Sequence, residues 1–341
     1  MNALVTGGAG FIGLYLTEQL VARGETVRVM SRRPHDRLTE LGVEWQQGDV
    51  REPAACDWAC KGIDTVFHTA AIPGIWGPWK LFYETNTQGT LNILDACVQH
   101  RVPKLVYTSS PSVIYDGENH LGVDESRPYP SDPSHPHPGP YLCHYPHTKA
   151  LAEKAVLAAN GKNGLSTVSL RPHLIWGPRD SQLVPRLIQR ARSGRLRRVG
   201  DGTNLISMTY VENAAAAHLQ AADALSPTSP APGRAYFINE LEPVNLWNWI
   251  DELLSRAGLP SVRKRISART AYAVGATCEA VYHTLRITKE PPMTRFLAQQ
   301  LSGSHYYNVG RAQRDFGFKP IVSVDEGMRR LEPELKRLGS V

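Results

Sequence analysis

The chain has 341 residues, 42% of them hydrophobic and 21% charged, with a formal net charge of +6 at neutral pH. That length exceeds one small core and allows a nucleotide domain with a smaller lobe, while no apolar run is long enough to span a bilayer. Five cysteines without a regular framework exclude a disulfide scaffold, and a first strand at residue 2 leaves no room for a targeting segment, so a reducing, cytoplasmic location is expected.

The first element is a short apolar strand over 3–6 that runs straight into Gly7-Gly8-Ala9-Gly10-Phe11-Ile12-Gly13, after which apolar residues recur at helical spacing over 11–22. Glycines between a strand and a helix suit a phosphate. Gly7 permits the tight turn, Gly10 lets the backbone approach a pyrophosphate, Gly13 lets the helix pack closely, and the N–H groups from Phe11 and Ile12 onward open the helix towards an anion. The second strand, 26–30, ends in Ser31-Arg32-Arg33 where an acidic residue would hold a ribose hydroxyl. Two guanidinium groups there favour a 2′-phosphate, hence NADP(H) over NAD(H). Asp49 and Val50 close the third strand, 44–48, with Asp49 placed to face an adenine or to cap the next helix. Cys56 and Cys60 share a helix face and lack the further ligands a metal needs.

A fourth strand over 65–69 precedes a helix over 80–99 that carries Asn86, and a fifth over 104–109 ends in Ser109-Ser110-Pro111-Ser112. Ser110, at the ligand-binding end of a parallel sheet, is the candidate to hold a substrate oxygen. Pro, Gly and His crowd 116–144, which predicts an irregular loop before a helix over 148–159. Tyr145 and Lys149 are one helical turn apart, and Pro146 places Tyr145 near the helix start. A neighbouring ammonium favours the phenolate and brings a phenol towards acid–base work. His135, His137, His144 and His147 are spaced by prolines unsuited to a metal cage and read as exposed loop histidines, with His144 and His147 flanking Tyr145 within reach of a substrate.

Further strands are expected over 166–170 and, after a surface linker over 225–233, over 235–239. The alternation predicts an α/β fold, a Rossmann-type doubly wound parallel sheet. Its dinucleotide domain spans 1–173 with 203–240 returning to it, and a smaller, mainly helical substrate lobe takes 174–202 and 241–341. The mostly apolar helix over 270–285 is read as a core or dimer-interface helix, or as a greasy wall or membrane-facing lid. The basic clusters at 190–198 and 263–265 lack interleaved aromatics and read as solvated faces, not as a nucleic-acid surface.

Thr6-Gly-Gly-Ala-Gly-Phe-Ile-Gly13, His68-Thr-Ala-Ala71, Asn86-Thr-Gln-Gly-Thr-Leu-Asn92, Tyr107-Thr-Ser-Ser110, Tyr145 with Lys149, and Leu170-Arg-Pro-His-Leu-Ile-Trp-Gly-Pro178 together resemble the extended short-chain dehydrogenases/reductases over nearly the full chain. The resemblance implies hydride transfer at a carbon–oxygen centre, with Tyr145 as acid/base, Lys149 its electrostatic partner, Ser110 the oxygen anchor, and Asn86 ordering its helix or a relay water. It also implies Thr69, Ala70, Ala71, Pro172, Tyr145 and Lys149 beside the cofactor, and a homodimer. Leu174 and Ile206 stand where sugar-nucleotide epimerases and dehydratases of the family place Asn and Arg, and apolar residues there suit a hydrophobic substrate. The chain is most similar to the 3β-hydroxysteroid dehydrogenase branch, which includes sterol-carboxylate dehydrogenases and the β-keto acid reductases of olefin synthesis. The expected activity is NADP(H)-dependent reduction of a hydrophobic ketone or the reverse oxidation. The rivals are a sugar-nucleotide epimerase and a cofactor-binding sensor or scaffold, and peripheral membrane contact goes with the lid reading.

Overall fold

The computed structural model describes residues 1–135 and 139–340. Seven strands form one parallel sheet in the spatial order Arg234–Ile238, Ser166–Pro172, Lys104–Thr108, Thr65–His68, Asn2–Thr6, Thr26–Ser31, Glu44–Gln47. Side chains alternate along Asn2–Thr6. Ala3 and Val5 join the layer built with Leu14, Leu16 and Leu20 of the helix Phe11–Ala22, whereas Leu4 faces the layer of Cys56, Ile93 and Val156. Both faces are therefore covered, which is why the strand is an uninterrupted apolar run. Each such fully buried aliphatic side chain contributes about 1.5–3 kcal/mol.

Asn2–Thr6 pairs with Thr26–Ser31 on one side and Thr65–His68 on the other, so strand order reverses at that point. The crevice beyond the strand ends at such a reversal is where ligands of open α/β sheets bind. The glycine turn, Thr69–Ala71 and Ser110 all lie at that edge because each follows the C-terminal end of its strand.

A separate core gathers Trp176, Trp247, Trp249, Leu253, Met328 and Leu331 from the helices Leu246–Arg256 and Val324–Ser340 and the segments around them. Ile206 is fully buried within it, so its apolar character serves packing and presents no free surface to a substrate. Leu174 is half-buried and adopts φ 40°, a left-handed conformation that a branched side chain rarely takes.

Three local expectations change. The loop over 116–144 contains a strand, His120–Val123, that pairs in parallel with His305–Tyr307, a partner nearly two hundred residues away that no local pattern reveals. The helix over 80–99 is three pieces: Trp79–Phe82, a π-helical turn Tyr83–Gln88 and Gly89–Gln99. The Tyr/Lys helix begins earlier, spanning His144–Ala158, and so takes in His144 and His147, which are half-buried and not exposed loop residues. His137 lies outside the described residues. No described helix is long and apolar enough to cross a membrane.

Candidate active site

The glycine turn has the geometry its spacing suggests. Gly7 sits at φ 72°, and a Cβ there would approach the Ala70 backbone at 2.9 Å. A Cβ on Gly13 would come within 2.3 Å of the Gly7 carbonyl, and one on Gly10 within 3.1 Å of the same oxygen. The turn thus folds back on itself only while it is bare. The helix Phe11–Ala22 starts without a side-chain cap or an acidic residue in its first turn, leaving its opening N–H groups to an outside acceptor. Thr69 braces the turn from the neighbouring strand, its hydroxyl donating to the Thr6 carbonyl at 2.8 Å, and the Ala70 N–H reaches the Thr6 hydroxyl at 3.4 Å. Ala71 follows, half-buried.

One strand over, Ser31 accepts from the Trp45 indole at 2.9 Å and donates to the Arg33 carbonyl at 2.7 Å, which fixes the bend carrying Arg32 and Arg33. Both arginines are exposed. Asp49 grips the Arg51 guanidinium, with Nη2 at 2.7 Å, and accepts the Arg51 N–H at 3.0 Å, so its carboxyl is held below the ordinary range by Arg51, with Arg32 adding to the effect. Val50 is buried, and its carbonyl accepts from Asn92 at 2.8 Å. Pro172 closes its strand on the other side of the sheet, buried and paired with Ile238.

Tyr145 is the second residue of its helix, with Pro146 third, where a missing N–H costs nothing. Burial pushes its phenol up to about 12, against a lowering influence from Ser110. Ser112 donates to the Ser110 hydroxyl twice, from its N–H at 3.2 Å and its own hydroxyl at 2.9 Å. Those two acceptances leave the Ser110 O–H as a donor aimed at the phenol oxygen or at an oxygen placed beside it. Ser109, by contrast, is buried.

Lys149 is buried one helical turn after Tyr145. Its ammonium donates to the Thr108 carbonyl at 2.5 Å and lies 4.2 Å from the centre of the Tyr107 ring. Burial brings Lys149 down to about 7, against a raising influence from Glu153 one turn further on.

Asn86 occupies the π-helical turn, a local widening that often marks functional sites. Its Oδ1 accepts from the Ile72 N–H at 2.8 Å, and its Nδ2 donates to the Ile72 carbonyl at 3.1 Å and to the Thr148 hydroxyl at 3.2 Å. Asn86 therefore ties the segment after the fourth strand to the Tyr145 helix. Sequence reasoning missed the neighbourhood this creates. Trp76 and Trp79 lie in Pro73-Gly74-Ile75-Trp76-Gly77-Pro78-Trp79, with Gly74 at φ 133° and Gly77 at φ 144°. Trp76 donates to the Ile287 carbonyl at 3.1 Å and packs on Tyr282 and His283, so the end of the helix Ala268–Thr284 closes over the Tyr145 side. Two tryptophans three residues apart, one between a Pro-Gly and a Gly-Pro step and one directly after them, were the available signal.

The family model described as "3-beta hydroxysteroid dehydrogenase/isomerase family" matches residues 4–267. A protein named 2-alkyl-3-oxoalkanoate reductase from Stenotrophomonas maltophilia (strain K279a) is 47% identical over 335 residues, covering 97% of this chain and 98% of that one. The Homo sapiens protein named sterol-4-alpha-carboxylate 3-dehydrogenase, decarboxylating, is 35% identical, with 99% of this chain and 89% of that one covered. Among solved structures, MoeE5 in complex with UDP-glucose and NAD superposes with a TM-score of 0.72 at 26% identity over 100% of both chains. The glycine turn, the Tyr145–Ser110 contact and these relatives lead to one conclusion: the chain belongs to the 3-beta hydroxysteroid dehydrogenase/isomerase family of oxidoreductases.

Proposed function

We propose that the protein is an NADP(H)-dependent reductase of a hydrophobic 3-oxo acid, working at the Tyr145–Ser110 pair. The observation that carries the reading is the phenol itself. Half-buried beside Ser110 and pushed up to about 12, it stays protonated at neutral pH and suits the role of acid towards an oxygen gaining charge. A nicotinamide dinucleotide supplies the hydride when bound. The chain's own residues do the rest: Ser110 and Tyr145 donate to the substrate oxygen as charge develops, and Tyr145 delivers its proton there. Lys149, poised near neutrality beside Thr108, holds or relays the proton that restores the phenol.

Support for a dinucleotide comes from the turn at Gly7, Gly10 and Gly13, which a Cβ would fill, and from the uncapped start of the helix at Phe11 and Ile12. The exposed Arg32 and Arg33 beyond Ser31, with Asp49 engaged by Arg51, favour the phosphorylated cofactor. We take Val50, Thr69, Ala70, Ala71 and Pro172 as lining for the same ligand, and Asn86 as the residue that keeps that lining in register with Tyr145. The hydrophobic 3-oxo acid follows the printed name of the relative that shares 47% identity.

The test is NADPH oxidation by the purified protein with a long-chain 2-alkyl-3-oxo acid, a steroid ketone and a nucleotide sugar in parallel. The acid should turn over, and Tyr145→Phe should lose about 10²–10⁴-fold in kcat while binding NADPH normally. Turnover of the nucleotide sugar alone would transfer the chain to the epimerase class, and a fully active phenylalanine variant would remove Tyr145 from the mechanism.

A further inference from the structure

Three imidazoles near Tyr145 have no part in that reading. His144 packs edge-on to Trp79 with ring centres 5.5 Å apart, His147 lies 4.9 Å from the same indole, and His283, from the far lobe, lies 4.6 Å from Trp76. Two tryptophans three residues apart thus pack against imidazoles from two separate helices. Their ring nitrogens have no hydrogen-bond or carboxylate partner among the described residues. Of the other cations, Lys149 donates to the Thr108 carbonyl, Arg171 pairs with Glu153, Arg127 with Asp116 and Lys80 with Glu84, while Lys154 reaches the Ser131 hydroxyl and the Tyr129 ring.

We propose that His144 and His283, backed by His147, form an anion-binding rim that takes the carboxylate of the substrate beside its reacting carbon. The proposal rests on the reductase reading and deepens it. In "2-alkyl-3-oxoalkanoate" and in "sterol-4-alpha-carboxylate 3-dehydrogenase" alike, one carbon separates the carboxylate from the carbon that bears the oxygen. A substrate of that shape, with its oxygen on Tyr145 and Ser110, brings a carboxylate to the neighbourhood of the residues flanking Tyr145. Burying that charge without a cation would be costly. Imidazoles crowded together without an acid repel one another when protonated, and an anion between them relieves the repulsion.

The electrostatics agree. Burial lowers the His144 pKa and the charge of His283 lowers it further, while burial, His144 and Lys154 lower that of His147. The other charged or titratable groups facing the rim do not supply the missing anion. Glu279, on the helix of His283, is held by Arg295 at 2.6 Å, and Glu84 faces Lys80 on the helical segment of Trp79. Tyr141 and Tyr83 present rings to His147 and Trp79, and Cys143 keeps its proton because burial pushes it up to about 12.

The test uses the full chain in the oxidation direction with NADP⁺, comparing a long-chain 2-alkyl-3-hydroxy acid with its methyl ester. The ratio of kcat/KM for acid over ester should fall about tenfold between about pH 6 and about pH 8. It should fall about tenfold at the lower pH in the His144→Gln, His283→Gln double variant, through KM more than kcat. A ratio indifferent to both changes overturns the rim and leaves the reductase standing. If neither compound turns over, the reductase reading fails on its own, and calorimetry with a non-reacting 2-alkylalkanoate decides the rim. Binding that tightens towards about pH 6 in the parent chain and not in the double variant supports it; pH-independent binding, or none, refutes it.

Discussion

Two buried cations sit behind the candidate site, and they are kept in opposite ways. Arg171, 3% exposed, meets Glu153 through Nη2 at 2.6 Å and through Nε at 3.1 Å to both carboxylate oxygens. Burial alone would lower its pKa, and Glu153 more than reverses that, so the guanidinium stays charged at any working pH. Lys149, 2% exposed, has a carbonyl and an aromatic face for company and falls to about 7. The same helix holds both arrangements, Lys149 and Glu153 being one turn apart. A carboxylate at contact distance makes a permanent clamp, whereas a carbonyl in its place leaves a group that can gain or lose its proton near neutrality.

The strongest way to break this contrast is to remove the carboxylate. Glu153→Ala leaves the Arg171 charge buried and unpaired, and the expected cost is about 3–5 kcal/mol in denaturant unfolding. A loss under about 1 kcal/mol would mean that the guanidinium finds water or another acceptor and that the pair is no clamp.

A smaller effect separates the two cations by pH. Lys149 binds its proton more weakly in the folded state, near 7, than at its ordinary value of 10.5. Between those limits the unfolded chain carries the extra proton, so this group makes stability rise with pH across the window, by at most about 1.4 kcal/mol per pH unit. Arg171, its pKa raised, adds no slope there. Unfolding free energies measured at several pH values in that range for the parent chain and for Lys149→Met should differ in slope with that sign. Parallel curves would show that Lys149 stays charged when folded.

The pieces of the site that were legible are those written in one stretch of chain. Gly7 to Gly13 fixes a turn within seven residues, and the Tyr145–Lys149 spacing with Pro146 locates a helix start, so geometry followed from spacing. The direction of Lys149 did not, because the Thr108 carbonyl that draws it lies 41 residues earlier on another strand. Ile206 was assigned to a binding surface from its position in a motif, yet its surroundings, Trp176 and Trp247 among them, come from segments on either side and enclose it. The strand His120–Val123 was hidden for the same reason, being specified by His305–Tyr307. Nothing in the local sequence marks Glu153, because its partners Ser169 and Arg171 lie on the strand Ser166–Pro172.

The mildest probe is Tyr129→Phe, which trims the clamp without opening it. The Tyr129 hydroxyl donates to Glu153 Oε1 at 2.8 Å, while Ser169 donates to Oε2 at 2.7 Å and Arg171 spans both oxygens. Removing one donor from a carboxylate that keeps the others should cost on the order of 1 kcal/mol. Arg171 and Ser169 keep the Glu153 carboxyl charged without the Tyr129 donor, so it goes on raising the Lys149 pKa. The pH slope that Lys149 contributes should therefore survive in the phenylalanine variant. Loss of that slope together with the hydrogen bond would show that Tyr129, through Glu153, sets the charge of Lys149, and the clamp and the titratable site would then be one unit and not two.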